Sequence, residues 1–428
     1  MVEIFFPLCC STVERKREIF AREISAAVGC QKTEFWFFSP PIIIFSPRLS
    51  TSPSPYQNLL PHREFVEPFS TEGDGHYDNI FPMDFSAEFM RRALTLAAQG
   101  GRAVMPNPLV GAVIVHDGVI IGEGFHKVCG GPHAEVEAIS SVENGNLLTE
   151  STLYVTLEPC AHFGRTPPCT DLILASKIPR VVIGCRDPFV QVDGKGIKKL
   201  QQAGVSVRSG VLEDECLTLN KRFITAHRQK RPFIILKWAE TSDGFIARSD
   251  GSSKWISSEI SRTLVHQWRA EEMSILVGTA TAVFDNPRLT VRHASGQNPL
   301  RLVIDRTRTL SPALHLFNDE AETWIFNDGI DDCQGSNRFI KCDFSTSITS
   351  QILGALYSAG IISVLVEGGS ETINSFLSED LWDEARVFRA PVVFEAGVAA
   401  PSLNCQASEV VVSGVDSLEY YRKTLDHQ

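Results

Sequence analysis

Apolar residues first fall into a regular pattern at Phe85. Phe85, Phe89, Met90, Ala93 and Leu94 recur at the spacing of one helical face, which predicts a helix. Residues 110–125 hold two apolar runs around His116-Asp117-Gly118, a hairpin signal. The pattern then alternates. It predicts a helix over 133–140 entered through Pro132, a strand over 152–157, a helix over 170–177, a strand over 180–184 and a helix over 195–203. One helix over 213–228 bridges to a second unit, opened by Arg231-Pro232. That unit starts with a buried-type strand over 233–238. An amphipathic helix over 257–273, strands over 274–278 and 300–305, a helix over 353–358 and a strand over 361–366 follow. Glu367-Gly368-Gly369-Ser370 then turns into another helix. Repeated strand–helix alternation implies an α/β fold, with sheets flanked by helices. No internal repeat relates the two halves.

Residues 1–80 carry a different pattern. Ser39-Pro40-Pro41, Ser46-Pro47 and Ser50-Thr51-Ser52-Pro53-Ser54-Pro55 break any period, and the apolar run 35–45 is too short to span a membrane. Between Gln31 and His62 the only acidic residue is Glu34. This stretch reads as a disordered extension or as the later part of an organellar transit-like leader, removed on import. The expected organisation is a leader over 1–80, one domain over 84–228 and a second over 231–428.

Composition narrows the chemistry. Apolar residues make up 43% and charged residues 21%, which suits a globular chain with a real core. A net charge of −11 with no long basic run argues against a nucleic-acid surface and leaves room for a local phosphate pocket. Eleven irregularly spaced Cys do not make a disulfide framework and point to a reducing compartment, with a few Cys free for metal.

The sharpest chemical signal pairs Pro132-His133-Ala134-Glu135 with Pro159-Cys160-Ala161-His162-Phe163-Gly164-Arg165-Thr166-Pro167-Pro168-Cys169. One imidazole and two thiolates, His133, Cys160 and Cys169, close three corners of a Zn2+ tetrahedron and leave the fourth for water. Glu135 is spaced to move that water's proton. This is the parts list of a hydrolytic deaminase for an amino-substituted ring. A closed structural site with His162 as fourth ligand, or a zinc-stabilised scaffold without activity, would leave Glu135 without a role.

Eight residues separate the two Cys, where deaminases of cytidine or tRNA usually have two. The long form, with Met105-Pro106-Asn107-Pro108-Leu109-Val110-Gly111, Gly124-Phe125-His126, Asp187-Pro188 and Asp193-Gly194-Lys195-Gly196, resembles the bifunctional deaminase/reductase family of riboflavin biosynthesis. The resemblance implies a cytidine-deaminase-like three-layer domain followed by a dihydrofolate-reductase-like α/β domain. It implies zinc at His133, Cys160 and Cys169, a proton shuttle at Glu135, and contacts from Asn107, His126, His162 and Arg165 to 2,5-diamino-6-hydroxy-4-(5-phosphoribosylamino)pyrimidine, a small phosphorylated substrate. Family members are commonly homo-oligomers.

The second half resembles the family's NADPH-dependent reductase at Ser253-Lys254-Trp255-Ile256, Arg269, Leu276-Val277-Gly278-Thr279, Asp285-Asn286-Pro287, Leu289, Arg292 and Glu367-Gly368-Gly369. It departs at Glu240 and Ser242, where the family usually has apolar residues, and at Met273, where it typically has Asp. A buried Glu240 costs free energy unless it is paired. An intact zinc set, a transit-like leader and an altered reductase segment are together similar to the plastid deaminase branch of the family in plants, which implies a chloroplast location. The expectation is therefore deaminase activity with an inactive second domain; the alternative is both activities.

Overall fold

The structure, a computed structural model, describes residues 87–163, 167–188, 193–253 and 255–423. The leader expected over 1–80, Arg165 and Lys254 lie outside the described residues. The rest belongs to one compact unit, Phe69–Gln428.

The first sheet is built from β1 (Gly111–His116), β2 (Val119–Phe125), β3 (Thr152–Leu157), β4 (Arg180–Cys185) and β5 (Ser206–Arg208), in the order β2-β1-β3-β4-β5. β1 pairs antiparallel with β2 and β3, and β3, β4 and β5 run parallel. The helices are α1 (Ala87–Ala98), α2 (Gly101–Val104), α3 (Ala134–Ser140), α4 (Cys169–Ala175), α5 (Lys195–Gln202), α6 (Glu213–Leu219) and α7 (Lys221–Gln229). Alternation along β1 sorts them into layers. Val113 and Val115 pack with Met90 and Ala93 of α1, Cys216 of α6 and Phe223 of α7. Ala112 and Ile114 pack on the other face with Ala134, Ile173 and Leu200 of α3, α4 and α5. The expected hairpin forms, with His116 opposite Val119 and both Asp117 and Gly118 at positive φ.

One expectation fails here. The single helix over 213–228 is two helices broken at Asn220. The Asn220 side chain reaches the backbone of Leu109 instead, accepting from its N–H (2.8 Å) and donating to its C=O (2.9 Å). Asn competes for backbone groups in this way, which makes it a poor helix-interior residue.

The second sheet has ten strands. They are β6 (Phe233–Thr241), β8 (Ser274–Val277), β9 (Leu300–Ile304), β10 (Thr323–Asn327), β11 (Asp332–Gln334), β12 (Asn337–Lys341), β13 (Ser363–Val366), β14 (Glu384–Ala390), β16 (Glu409–Ser413) and β17 (Asp416–Arg422). A short pair, β7 (Phe245–Ala247) and β15 (Val398–Ala399), stands apart. The order is β11-β12-β10-β9-β8-β13-β6-β14-β17-β16, with a parallel centre from β12 to β14. The helices are α8 (Glu259–Glu271), α9 (Thr279–Asp285), α10 (Ile348–Ser358) and α11 (Ser370–Ser378). Ile234, Leu236 and Leu276 pack against α10 and α11; Ile235, Ile275 and Val303 pack with Val265 and Trp268 of α8 and Ala282 of α9. Burial on both faces is why the central strands read as continuous apolar runs. After β8 the chain crosses to β9, and after β13 it crosses to β14 on the opposite side. The carboxyl ends of β8 and β13 therefore flank a topological switch point, the usual place for a ligand in an open parallel sheet.

Buried charges join α7 to the second sheet. Arg222 grips Glu272 through two hydrogen bonds, one of 2.8 Å, and the Glu272 side chain is fully buried. Lys221 Nζ lies 2.6 Å from Glu384 Oε2. Burial by itself raises the Glu272 carboxyl, but the charge and hydrogen bond of Arg222 outweigh it and hold the group below its ordinary range. Arg222→Ala leaves that carboxylate buried and unpaired, and a loss of about 3–5 kcal/mol is expected in urea unfolding. Because the folded pKa is depressed, the pair's contribution is full above an unfolded value of about 4.3 and fades as pH falls through the folded one. The gap between wild type and Arg222→Ala should therefore narrow in acid, and a gap independent of pH would contradict the pairing.

Candidate active site

Three elements of the first sheet's layers converge on one point. His133 occupies the N-cap of α3 with extended backbone angles, so its ring projects from the helix end. Cys160 follows the end of β3 by three residues, and Cys169 is the first residue of α4. His133 Nδ1 lies 3.2 Å from Cys169 Sγ and 3.7 Å from Cys160 Sγ. All three ligand atoms lie within 4.8 Å of one another. Zinc bonds of about 2.0–2.3 Å at tetrahedral angles place ligand atoms roughly 3.5–3.8 Å apart, so the spacing fits.

The donor set fits too. A hydrogen bond from the Cys169 thiol outweighs burial, and with the His133 ring it holds the Cys160 thiol down at about 4. The same hydrogen bond, together with burial, pushes the Cys169 thiol up. Two adjacent sulfurs of this kind ionise together only around a cation. His162, considered as a fourth ligand, is half-buried and does not join the cluster, and neither Cys129 nor Cys185 does.

Glu135 lies in the first turn of α3 and is 3% exposed. Burial, then the neighbouring Cys160, raises its carboxyl above the ordinary range. Asn107 and His126 meet beside this corner: Asn107 Nδ2 is 3.1 Å from His126 Nε2, and His126 Nδ1 is 2.8 Å from the carbonyl oxygen of Pro132. The His126 and His133 rings stand edge to face at 5.6 Å. Burial lowers the His126 pKa, keeping the ring neutral.

Two residues of this corner carry no motif signal. Glu158, immediately before Pro159-Cys160, is 3% exposed. Its carboxylate accepts from the backbone N–H of Gly194 (2.9 Å), Gly196 (2.9 Å), Ile197 (3.1 Å) and Asp187 (3.4 Å). It thereby caps α5 and ties the Asp193-Gly194-Lys195-Gly196 motif to the Cys160 turn. A Cβ at Gly196 would stand 2.1 Å from the Pro159 carbonyl oxygen, so only glycine fits. Asn220 is the second, through its clamp on Leu109. Their partners lie 29 to 111 residues away, so spacing alone does not reveal them.

At the switch point of the second sheet, Arg269 of α8 binds Glu367 through two hydrogen bonds of 2.7 and 2.8 Å, and Lys237 Nζ lies 3.5 Å away. Burial would raise the Glu367 carboxyl, but the Arg269 and Lys237 charges hold it at about 2. Gly278 follows the last residue of β8, Gly368-Gly369 follows β13 after Glu367, and Gly369 has φ 65°. A Cβ on Gly368 would meet Val277 at 2.9 Å. The resulting close backbone turns suit a pyrophosphate at helix ends. Of the three departures noted in the sequence, Glu240 and Met273 do not disturb this corner, and Ser242 bonds the Val392 carbonyl through its N–H (2.9 Å) and its hydroxyl (3.1 Å). Glu240 is buried but paired, accepting from Trp238 Nε1 (2.7 Å) and from Arg389. Met273 precedes β8, at the amino ends of the strands, where its backbone meets Ser363 and Leu300.

Comparison with known proteins follows the same division. Residues 83–185 match the family model of the cytidine and deoxycytidylate deaminase zinc-binding region, and residues 232–408 match that of the RibD C-terminal domain. The chain is 39% identical over 352 residues to the riboflavin biosynthesis protein RibD of Aquifex aeolicus, covering 80% of this chain and 96% of that protein. Against RibD of Escherichia coli the identity is 38% over 323 residues, with 72% and 84% covered. Among solved structures, a diaminohydroxyphosphoribosylaminopyrimidine deaminase/5-amino-6-(5-phosphoribosylamino)uracil reductase of Thermotoga maritima superposes with a TM-score of 0.73 at 40% identity, over 79% of this chain and 98% of its own. RibD of Acinetobacter baumannii gives 0.71 at 30% identity, over 79% and 98%. The expected fold, a deaminase-like domain followed by a reductase-like α/β domain, is the one found. The chain belongs to the RibD family.

Proposed function

We propose that this chain hydrolytically deaminates 2,5-diamino-6-hydroxy-4-(5-phosphoribosylamino)pyrimidine in riboflavin biosynthesis, using zinc held by His133, Cys160 and Cys169. The observation that carries the reading is the convergence of those three ligand atoms beside the buried carboxyl of Glu135. Zinc supplies Lewis acidity, which turns water into a nucleophile near neutral pH. Glu135 would take the attacking water's proton and pass it to the ring nitrogen, then carry the added hydroxyl's proton to the departing amine as the carbonyl forms. A C–O bond forms, the C–N bond breaks and ammonia leaves. Burial favours the protonated carboxyl, the form Glu135 holds between its two transfers. Asn107 offers an amide to the ring, and His162 and Arg165 supply contacts toward the substrate's polar groups.

A second reading adds NADPH-dependent reduction of the deaminated product by the C-terminal domain. The observation favouring it is the intact switch-point corner, with Gly278, Gly368-Gly369 and the Arg269–Glu367–Lys237 cluster in place and Glu240 paired. Here the glycine turns would hold the cofactor's pyrophosphate. The first reading, deamination alone, goes with a plastid location for the chain, and that location draws on the acid-poor, Ser- and Pro-rich stretch 31–62.

Each part has its own test. Wild-type protein loaded with zinc should release ammonia from the diaminopyrimidine without NADPH. Glu135→Gln should keep its zinc and lose at least about 100-fold in kcat, in line with removal of a general acid–base. Full turnover by that variant would remove the shuttle role. Titration with NADPH, followed by its fluorescence, should saturate if the second domain reduces, and no binding at millimolar concentration would restrict the chain to deamination. Residues 1–80 fused to a fluorescent protein should direct it into plastids, and retention in the cytosol would refute the plastid assignment.

A further inference from the structure

Asn107 stands on a short segment that is held from two domains. Helix α2 is four residues long, below the length at which a helix holds itself in water. It begins at Gly101, with φ 51° and open space where a Cβ would stand. Met105 N–H donates to the Arg102 carbonyl (3.1 Å) and Asn107 N–H to the Val104 carbonyl (3.0 Å), so the turn bearing Asn107 moves with α2. The Ala103 carbonyl accepts from Cys129 N–H (3.0 Å), which hangs the loop after β2 on the same helix. Buried Val104 roots the segment in the first domain, and Asn220 fixes its far end at Leu109. The Arg102 side chain leaves that domain altogether.

Arg102 Nη1 donates to the Gln297 carbonyl (3.0 Å) and Nη2 to the Met273 carbonyl (3.4 Å), both in the second domain, where α2 packs on α8. Burial lowers the Arg102 pKa, and the charge of Glu272, the carboxylate that Arg222 grips, acts against that fall. Both carbonyls stand at fixed places. The Met273 carbonyl also accepts from Leu300 N–H (2.9 Å), and Met273 N–H donates to Ser363 Oγ (2.9 Å). Next to Gln297, Asn298 accepts from Val291 N–H (2.9 Å) and donates to the Glu320 carbonyl (3.0 Å). A Cβ at Gly296 would stand 2.6 Å from the Ala270 Cβ, so this loop lies directly on α8. A planar guanidinium joined to two fixed acceptors sets direction as well as distance.

We propose that Arg102 is a positioning residue through which the second domain sets the place of the Asn107 amide, and with it how tightly the first site binds the substrate ring. The binding half rests on the deaminase reading above, in which Asn107 meets the ring; the holding of residues 102–107 by the second domain does not. His133, Glu135, Cys160 and Cys169 sit on α3, on the turn after β3 and on α4, and Arg102 bonds to none of them. Its loss therefore falls on substrate binding and spares the metal and the proton transfers.

In ammonia release from the diaminopyrimidine, Arg102→Ala should raise KM about 3- to 10-fold, with kcat within about twofold of wild type and equal zinc content. Arg102→Lys keeps the charge without the fork and should fall between the two. A merely structural role would lower the melting temperature and the active fraction, hence kcat, and leave KM alone; that pattern overturns the proposal. Backbone hydrogen exchange, read by mass spectrometry on zinc-loaded protein, tests the holding itself. In Arg102→Ala it should speed at least about tenfold in peptides spanning 102–107 and 127–131, with β3 and β4 unchanged. No change there, or equal acceleration throughout the first sheet, overturns the proposal as well, whether or not ammonia is released. Should Arg102→Ala fail to fold, Arg102→Gln, too short to span both carbonyls, carries the same expectations. Wild-type protein that releases no ammonia refutes the deaminase reading instead, and the exchange rates then decide this proposal alone.

Discussion

The buried carboxylate of Glu158 is the constraint on which the metal corner depends. A charge taken out of water must be met in full, and here four backbone N–H groups meet it. Those groups belong to the loop after β4 and to the start of α5, while Glu158 itself directly follows β3. One side chain therefore locks two strand ends and a helix end to the turn that carries Cys160. The main chain repeats the lock, since Glu158 N–H donates to the Cys185 carbonyl (3.0 Å) and the Cys160 carbonyl receives the Thr170 N–H (3.2 Å). Ligands separated by 27 and 36 residues in the chain come within bonding range of one ion because these locks leave the loops little freedom.

How much of this was legible follows from the range of each interaction. His133, Cys160, Cys169 and Glu135 could be read because metal chemistry restricts residue types and their placement at helix ends. The hairpin at Asp117-Gly118 and the central strands β6 and β13 could be read because turn chemistry and continuous apolar runs are local signals. Glu158 and Asn220 could not, because each is a polar residue whose meaning lies in a partner far along the chain. Asn220 misled outright: the apolar spacing continues through it, yet its side chain leaves the helix for Leu109. The strands β10, β16 and β17 went unassigned for a related reason, since β16 and β17 lie at an edge with mixed faces and β10 follows a long irregular stretch.

The second domain shows how far a substitution can be judged without its surroundings. Glu240 in an apolar position suggested erosion. Its strand neighbour in register is Arg389 on β14, which in turn holds Glu419 at 2.8 Å. The carboxylate is buried with a cation and an indole N–H as partners, so the charge that looked costly belongs to a compensated ladder across three strands. Met273 likewise sits at the wrong end of the sheet to face a ligand at the switch point.

The two domains are joined through residues that also shape the first site. Asn220 holds the segment carrying Asn107, and the next two residues, Lys221 and Arg222, hold Glu384 and Glu272 of the second domain. Helix α7 is thus clamped at its first turn from both sides. A continuous run of contacts leads from Glu272 through Arg222, Asn220 and Leu109 to Asn107 and His126, and then through Pro132 to His133. Contiguity of this kind is not coupling in itself. It does give a physical reason for the second domain to be retained beside a working deaminase, whether or not it reduces anything: without it, the helix that fixes the Asn107 segment would lose the charges that hold its own first turn in place.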